Sequence, residues 1–258
     1  MGVKTVRAVR DNGMTKGATG PHIMECDDGK TYIVKFAGID KSAINEFVGQ
    51  TLARAVGLPV PDSAFVEVGE DVVSSAKDLT GRKVYAGIHH GSEMVPRAME
   101  LGQFLRQHPG GLVGNIASLP QTICHDNWVL VRDRERDDNH LFAPADGVFR
   151  YVMVDFSHGF TGQGWTADTI EQGTYDRVPV PVHTVLAGLV RGVESFEPVL
   201  SRIESLPDSV IDEALSAVPS AWALNPEETG CLAGFLQLRR SMLRGILLSG
   251  KGAFPNWP

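Results

Sequence analysis

The spacing of apolar residues changes once along this chain, from a period of two to a period near three and a half. That change limits the folds open to it. Over roughly the first hundred residues, short alternating runs at 5–10, 22–26, 31–36, 63–68 and 84–88 are separated by turn residues, a pattern of strands. Asp27-Asp28-Gly29-Lys30 lies between two of these runs, and Asp-Gly in that setting is a hairpin signal. The first three strands are therefore expected to be antiparallel, with a flexible glycine-rich loop over 11–21 joining the first two. One helix interrupts them: Ile44, Phe47, Val48, Leu52 and Val56 recur at helical spacing over 42–56, and Gly57, Pro59 and Pro61 stop it. Residues 69–82 are polar and read as a surface loop.

Beyond residue 97 the pattern is mostly helical, broken at Pro109-Gly110-Gly111. A helix over 119–131 runs into a charged stretch at 132–140, and a nearly continuous apolar strand over 148–154 ends at Asp155. A loop is expected over 159–181, then helices over 196–206 and 209–218 separated by Pro207. The last helix has Asn225 as N-cap, Pro226 at its first position and Glu228 completing a capping box. A β-rich beginning and a helical remainder predict an α+β chain of two lobes, 1–96 and 97–258, with a ligand in the cleft between them.

Composition narrows the function classes. Apolar residues are 43% and charged residues 21% of 258, enough for a packed core. The 24 basic and 31 acidic residues give a net charge of −7, which argues against direct nucleic-acid binding. No apolar run approaches a membrane span. The N-terminus lacks a signal-peptide stretch, and Cys26, Cys124 and Cys231 form no C-x-x-C pair, so a cytoplasmic protein with reduced thiols is expected.

Four features carry chemistry. The loop with Gly13, Thr15, Gly17, Thr19 and Gly20 could bring backbone N–H groups close to phosphate oxygens, although it matches no phosphate-loop pattern and also reads as a long hairpin loop. Lys35 shares a strand face with Ile33, and Glu46 lies on a helix face with Gly49, Gln50 and Ala53 that can approach a sheet closely. A Lys–Glu pair across strand and helix would fix an ammonium for nucleotide phosphates. Asp133 and Asp138 have the spacing of a phosphoryl-transfer loop, with Asn139 next in line, so either Asp138 or Asn139 could ligate a metal. Asp155-Phe156, at a strand end, has the form of a Mg²⁺-binding element. Taken singly, each also has an ordinary structural reading; their order along the chain is the stronger signal.

In that order the chain resembles the HipA-like kinases, a branch of the protein-kinase-like fold. The resemblance rests on the hairpin Cys26–Lys35, on Asn45-Glu46 and Leu52-Ala53-Arg54, on Gly57-Leu58-Pro59-Val60-Pro61, on Asp126-x-Trp128 with Asp133-Arg134, and on the strand into Asp155. The end of the chain, around Trp222 and 235–244, is similar too. The resemblance implies an ATP- and Mg²⁺-dependent phosphotransferase acting on a hydroxyl of protein Ser/Thr or a small molecule, with room for a regulatory partner protein. It implies Lys35 on the α/β-phosphates and Glu46 orienting it, Asp133 as catalytic acid/base and Asp155 on Mg²⁺, with the interlobe linker within 84–96 near the adenine. The phosphate loop would be Gly17, Thr19 and Gly20.

Two other classes are compatible with these residues. An aspartate where the family often has asparagine suggests a nucleotide-binding pseudokinase acting as a scaffold. His125-Asp126, with His89, His90, His140 and His158, suggests a metal phosphohydrolase. Arg239, Arg240, Arg244 and Lys251 read as a solvated helix face, Cys124 as buried packing, and Trp128 and Trp222 as core anchors.

Overall fold

The computed structural model describes residues 2–15, 20–38, 40–76, 84–177 and 179–258. The first strands are β1 (Lys4–Met14), β2 (His22–Cys26) and β3 (Thr31–Lys35), followed by helix α1 (Ser42–Ala55). Next come β4 (Ser63–Val68), α2 (Glu70–Ser75) and β5 (Gly87–Glu93). The strands close into a barrel in the order β1-β2-β3-β5-β4, antiparallel except where β1 runs parallel to β4. Parity then sorts the side chains of β3. Tyr32 and Val34 enter the barrel core with Met24, Ala64 and Val66, so Ile33 and Lys35 face outward into a cleft.

The second half begins with β6 (Met99–Glu100), α3 (Leu101–Gln107) and α4 (Ser118–Val129). The strands β7 (His140–Ala145) and β8 (Val148–Met153) form a hairpin, with β6 pairing on β7. The remaining helices are α5 (Ala167–Thr174), α6 (Thr184–Ala187), α7 (Val199–Glu204), α8 (Asp208–Ser216) and α9 (Pro226–Ser249). Among the described residues no helix is long and apolar enough to cross a membrane. The larger apolar core runs from Ile44, Phe47 and Leu52 of α1 to Trp128, Phe196, Ile211, Leu236 and Leu247. Thus α1 lies on the barrel side in sequence but packs with the helices. Trp222 ties the same parts together by donating Nε1–H to the Ile88 carbonyl at 2.7 Å.

The three antiparallel strands, α1 with Gly57 (φ 79°) just beyond it, and the Asn225–Glu228 capping box fall where the residue patterns put them. Five differences have physical reasons. β1 continues into the expected loop as far as Met14, paired irregularly with β2. The polar stretch expected to be a surface loop contains α2, because Val72 packs against the barrel. The last barrel strand lies at 87–93, not 84–88: His89, His90 and Gly91 are poor strand formers, but β4 pairs with all three and β3 with His90 and Gly91. The β7–β8 hairpin turns at Asp146-Gly147, both at positive φ (49° and 81°), which is a second Asp-Gly signal. The expected 159–181 loop holds α5, capped by Thr166 and Thr169 instead of the usual acid. Trp128 and Trp222 are core residues and Cys124 is buried.

Arg239 corrects the solvated-face reading. It is fully buried and donates to the carbonyls of Asn127, Trp128, Gly173 and Asp176, pinning α4, α5 and α9 to one another. Burial lowers its pKa to about 10.

Candidate active site

A cleft of about 380 Å³ collects most of the candidate residues: Lys35, Glu46, Asp133, Asp138, Asn139 and Asp155 all line it. Thr15 and Pro21 also line it and are joined by a Thr15 N–H to Pro21 carbonyl bond of 2.9 Å, which brings the two ends of the glycine-rich segment together at the cleft. Gly20, at φ 61°, adjoins Pro21 but is not in the wall. Gly17 and Thr19 lie outside the described residues.

Lys35 stands at the end of β3 and is 7% exposed. Its ammonium donates to the Glu46 carboxylate and, at 2.8 Å, to Asp155 Oδ1. Glu46 is held on α1, 3% exposed, and its Oε1 also accepts the Phe156 N–H at 2.8 Å. Gly49, one turn on, lets Phe156 pack against the helix: a Cβ there would come within 2.9 Å of the Phe156 Cβ. The small face of α1 thus receives the segment after β8 as well as the barrel sheet, which Glu46 meets through Lys35 of β3 and Gln50 through Ser92 of β5.

Asp155 follows β8 in the left-handed region, at φ 64°. Its Oδ1 accepts from Ser157 N–H (3.1 Å) and Ser157 Oγ–H (2.6 Å) as well as from Lys35. Burial opposes charge on Asp155, but the Lys35 ammonium and the hydrogen bonds outweigh it and hold its carboxyl well below the usual range. Burial likewise opposes charge on Lys35, and Asp155 and Glu46 together keep its pKa raised. Burial pushes the Glu46 carboxyl up, against Lys35. At neutral pH the cation and the Asp155 carboxylate are therefore both charged.

Asp133 lines the same cleft. Its Oδ1 is buried without a hydrogen-bond partner among the described residues. Such an oxygen is left for a donor or a cation from outside the protein, water or a ligand. Burial raises its pKa, the Asp155 charge adds to this, and His158 and Arg134 oppose it. The loop beyond Asp133 separates the two metal candidates. Asn139 is buried and its Nδ2 donates to the Asp133 carbonyl at 2.9 Å. Asp138 accepts both Nε (2.9 Å) and Nη2 (2.6 Å) of Arg136 in a forked, solvent-facing pair.

The residue pattern did not assign a role to Arg134, which organises this loop. It is 1% exposed and donates to Asp126 Oδ2 at 3.1 Å. It also donates to the carbonyls of Asn139 (3.2 Å), Val154 and Asp155 (3.0 Å), so one guanidinium joins the Asp133 loop to the end of β8. Burial pushes Asp126 up to about 6, with Arg134 opposing. His140 supports the loop from below, donating from Nε2 to the Arg134 carbonyl at 2.9 Å. Asp126 is therefore an ion-pair partner, and His125 beside it packs edge-on against Trp128 and Phe156. Only burial distinguishes Arg134 from Arg132 and Arg136, and spacing does not report burial.

This barrel, the helical body and a Lys–Glu–Asp cluster facing a second acidic loop define a kinase-like phosphotransferase. The chain belongs to the HipA-like kinase family, whose profile matches residues 6–244. Its fold is similar to that of the Helicobacter pylori proinflammatory kinase CtkA, with a TM-score of 0.62 at 12% identity over 96% of this chain and 98% of that one. It is also similar to hydra Fam20, solved with sugar (TM-score 0.54, 11% identity, 95% and 86% covered). A third similar structure is the Golgi casein kinase with Mn/ADP bound (TM-score 0.50, 12% identity, 98% and 73% covered). A comparison with curated proteins finds no match.

Proposed function

We propose that the chain is a two-lobed, ATP- and Mg²⁺-dependent kinase that transfers the γ-phosphate to a hydroxyl, that of a protein Ser or Thr. The observation that carries this reading is Lys35. A buried ammonium is bonded at once to Glu46 of α1 and to Asp155 beyond β8, on the wall of a cleft that also holds the unpartnered Asp133 oxygen. A related fold with Mn/ADP bound supports the nucleotide and the divalent cation.

The residues fit that ligand. Lys35 would bind α/β-phosphate oxygens, and Glu46 would keep it aimed. A bound Mg²⁺ would supply charge neutralisation for the transferring phosphoryl group. Asp155 would ligate the ion, its Oδ1 already fixed by Ser157. Asn139 would be the second ligand, with its amide set against the Asp133 carbonyl, while Asp138 stays with Arg136. With Asn139 in that role, the aspartate at 138 would not by itself make the protein a pseudokinase. Asp133 would take the acceptor hydroxyl's proton, and its raised pKa brings it closer to that task. A metal-hydrolase reading loses its ligand pair, because Asp126 is bonded to Arg134.

Transfer from radiolabelled ATP-Mg²⁺ to a panel of Ser/Thr peptides and to the protein itself tests the reading. Asp155→Asn and Asp133→Ala should each lose about 10²–10⁴-fold in rate while keeping a cooperative unfolding transition. Wild-type transfer by Asp155→Asn would overturn it.

A further inference from the structure

The segment after Asp155 has little structure of its own. Phe160, Thr161 and Gly162 are all in the left-handed region, at φ 55°, 83° and 118°. Backbone of that kind persists when its surroundings over-determine it. Here much of the support comes from the first turn of α1. Asn45 is completely buried, and its Nδ2 divides two hydrogens among the carbonyls of Ser157 (2.8 Å), Gly162 (2.9 Å) and Gly159 (3.2 Å). Its Oδ1 accepts the Trp165 indole N–H at 2.7 Å. Just before α1, the Lys41 N–H donates to the Gln163 carbonyl at 2.8 Å. The Lys41 ammonium sits 4.8 Å from the Trp165 ring centre and pairs with Glu228 at the start of α9.

Two consecutive residues of one helix therefore grip consecutive parts of one segment: Glu46 takes the Phe156 N–H, and Asn45 takes the carbonyls of 157, 159 and 162. Ser157, whose carbonyl Asn45 holds, is also the residue whose N–H and hydroxyl fix Asp155 Oδ1. We infer that Asn45 is a positioning residue for metal–nucleotide binding: through Ser157 it presets the Asp155 carboxylate, so that the site is assembled before its ligand arrives. The inference rests on the kinase reading above for the identity of the ligand, but not for the brace itself.

The full-length protein with Asn45→Ala separates this role from simple packing. Hydrogen exchange of the ligand-free protein should be faster across 157–165, and the Mg²⁺ concentration for half-maximal transfer should rise about 10-fold or more, as when a partner of a metal ligand is lost. With saturating Mg²⁺ the rate should recover to near wild type. Asn45→Asp, equal in size but unable to donate, should be worse than Ala on both measures. Should Asn45→Ala not fold, Trp165→Phe takes away the bond that Asn45 accepts, together with part of the ring packed in the core and against Lys41, and should move both readouts less, in the same direction. Unchanged exchange and unchanged Mg²⁺ dependence in the folded variant, with only a lower melting temperature, would overturn the inference. If the wild type transfers no phosphate, the kinase reading fails and the exchange rates still judge the brace.

Discussion

The two walls of the cleft hold their charged groups by different means. On the barrel wall, Lys35 is placed by side-chain charge, between Glu46 and Asp155. On the helical wall, Asp133, Asn139 and Asp155 sit on loops whose carbonyls are gathered by the buried donors Arg134 and Asn45. Charge pairs can exchange partners when a phosphate or a cation arrives, because one ion substitutes for another. A carbonyl held by a buried donor has no such substitute. The barrel wall is thus built to respond, and the helical wall to stay.

The largest effect expected of this contrast is on stability. Asp126→Ala leaves Arg134 as a buried charge without its acid and should cost about 3–5 kcal/mol, read from the urea midpoint. A cost below 1 kcal/mol would mean that the carbonyls alone satisfy the guanidinium. Lys35→Met attacks the other wall and should fall mainly on activity, by about 10²–10³-fold in kcat/KM. Steady-state kinetics over ATP concentration measures it, and a lowered urea midpoint with unchanged kcat/KM would reverse the assignment of the two walls.

Acid titration sharpens the comparison further. Asp155 has a folded pKa below its ordinary 3.8, so its stabilisation is present above that value and is lost as pH falls through and below it. Asp126 is the opposite case. Raised from 3.8 to about 6, it favours the folded state less as pH climbs across that interval, because the unfolded chain ionises first. Urea midpoints from pH 3 to 8 should show Asp155→Asn flattening the acid limb and Asp126→Asn flattening the 4–6 interval. The smallest effect lies far from the cleft: Asn225→Ala removes the N-cap of α9 and should cost about 1 kcal/mol in thermal unfolding, with kinetics intact.

Much of the site was legible because its residues sit on regular elements with clear periods. Lys35 falls on a strand face by parity, Glu46 on a helix face by spacing, and Asp155 at the end of an apolar run. The loop residues were less so. Asp138 has the family spacing, but Asn139 turns to the Asp133 carbonyl while Asp138 turns to Arg136, a choice made by burial. Arg239 shows the same blindness, since a helix pattern with solvated neighbours gives no sign that one arginine is inside.

By itself, then, the order of residues determined the α+β plan, the hairpin at Gly29, the caps of the long helices and the candidates that face one another, because periodicity and turn chemistry act over a few neighbours. The tertiary structure alone decided which polar groups lose water: Arg134, Asn45 and Asp126 become the framework of the cleft because distant segments close over them. Desolvation depends on those long-range contacts, and no local pattern encodes them.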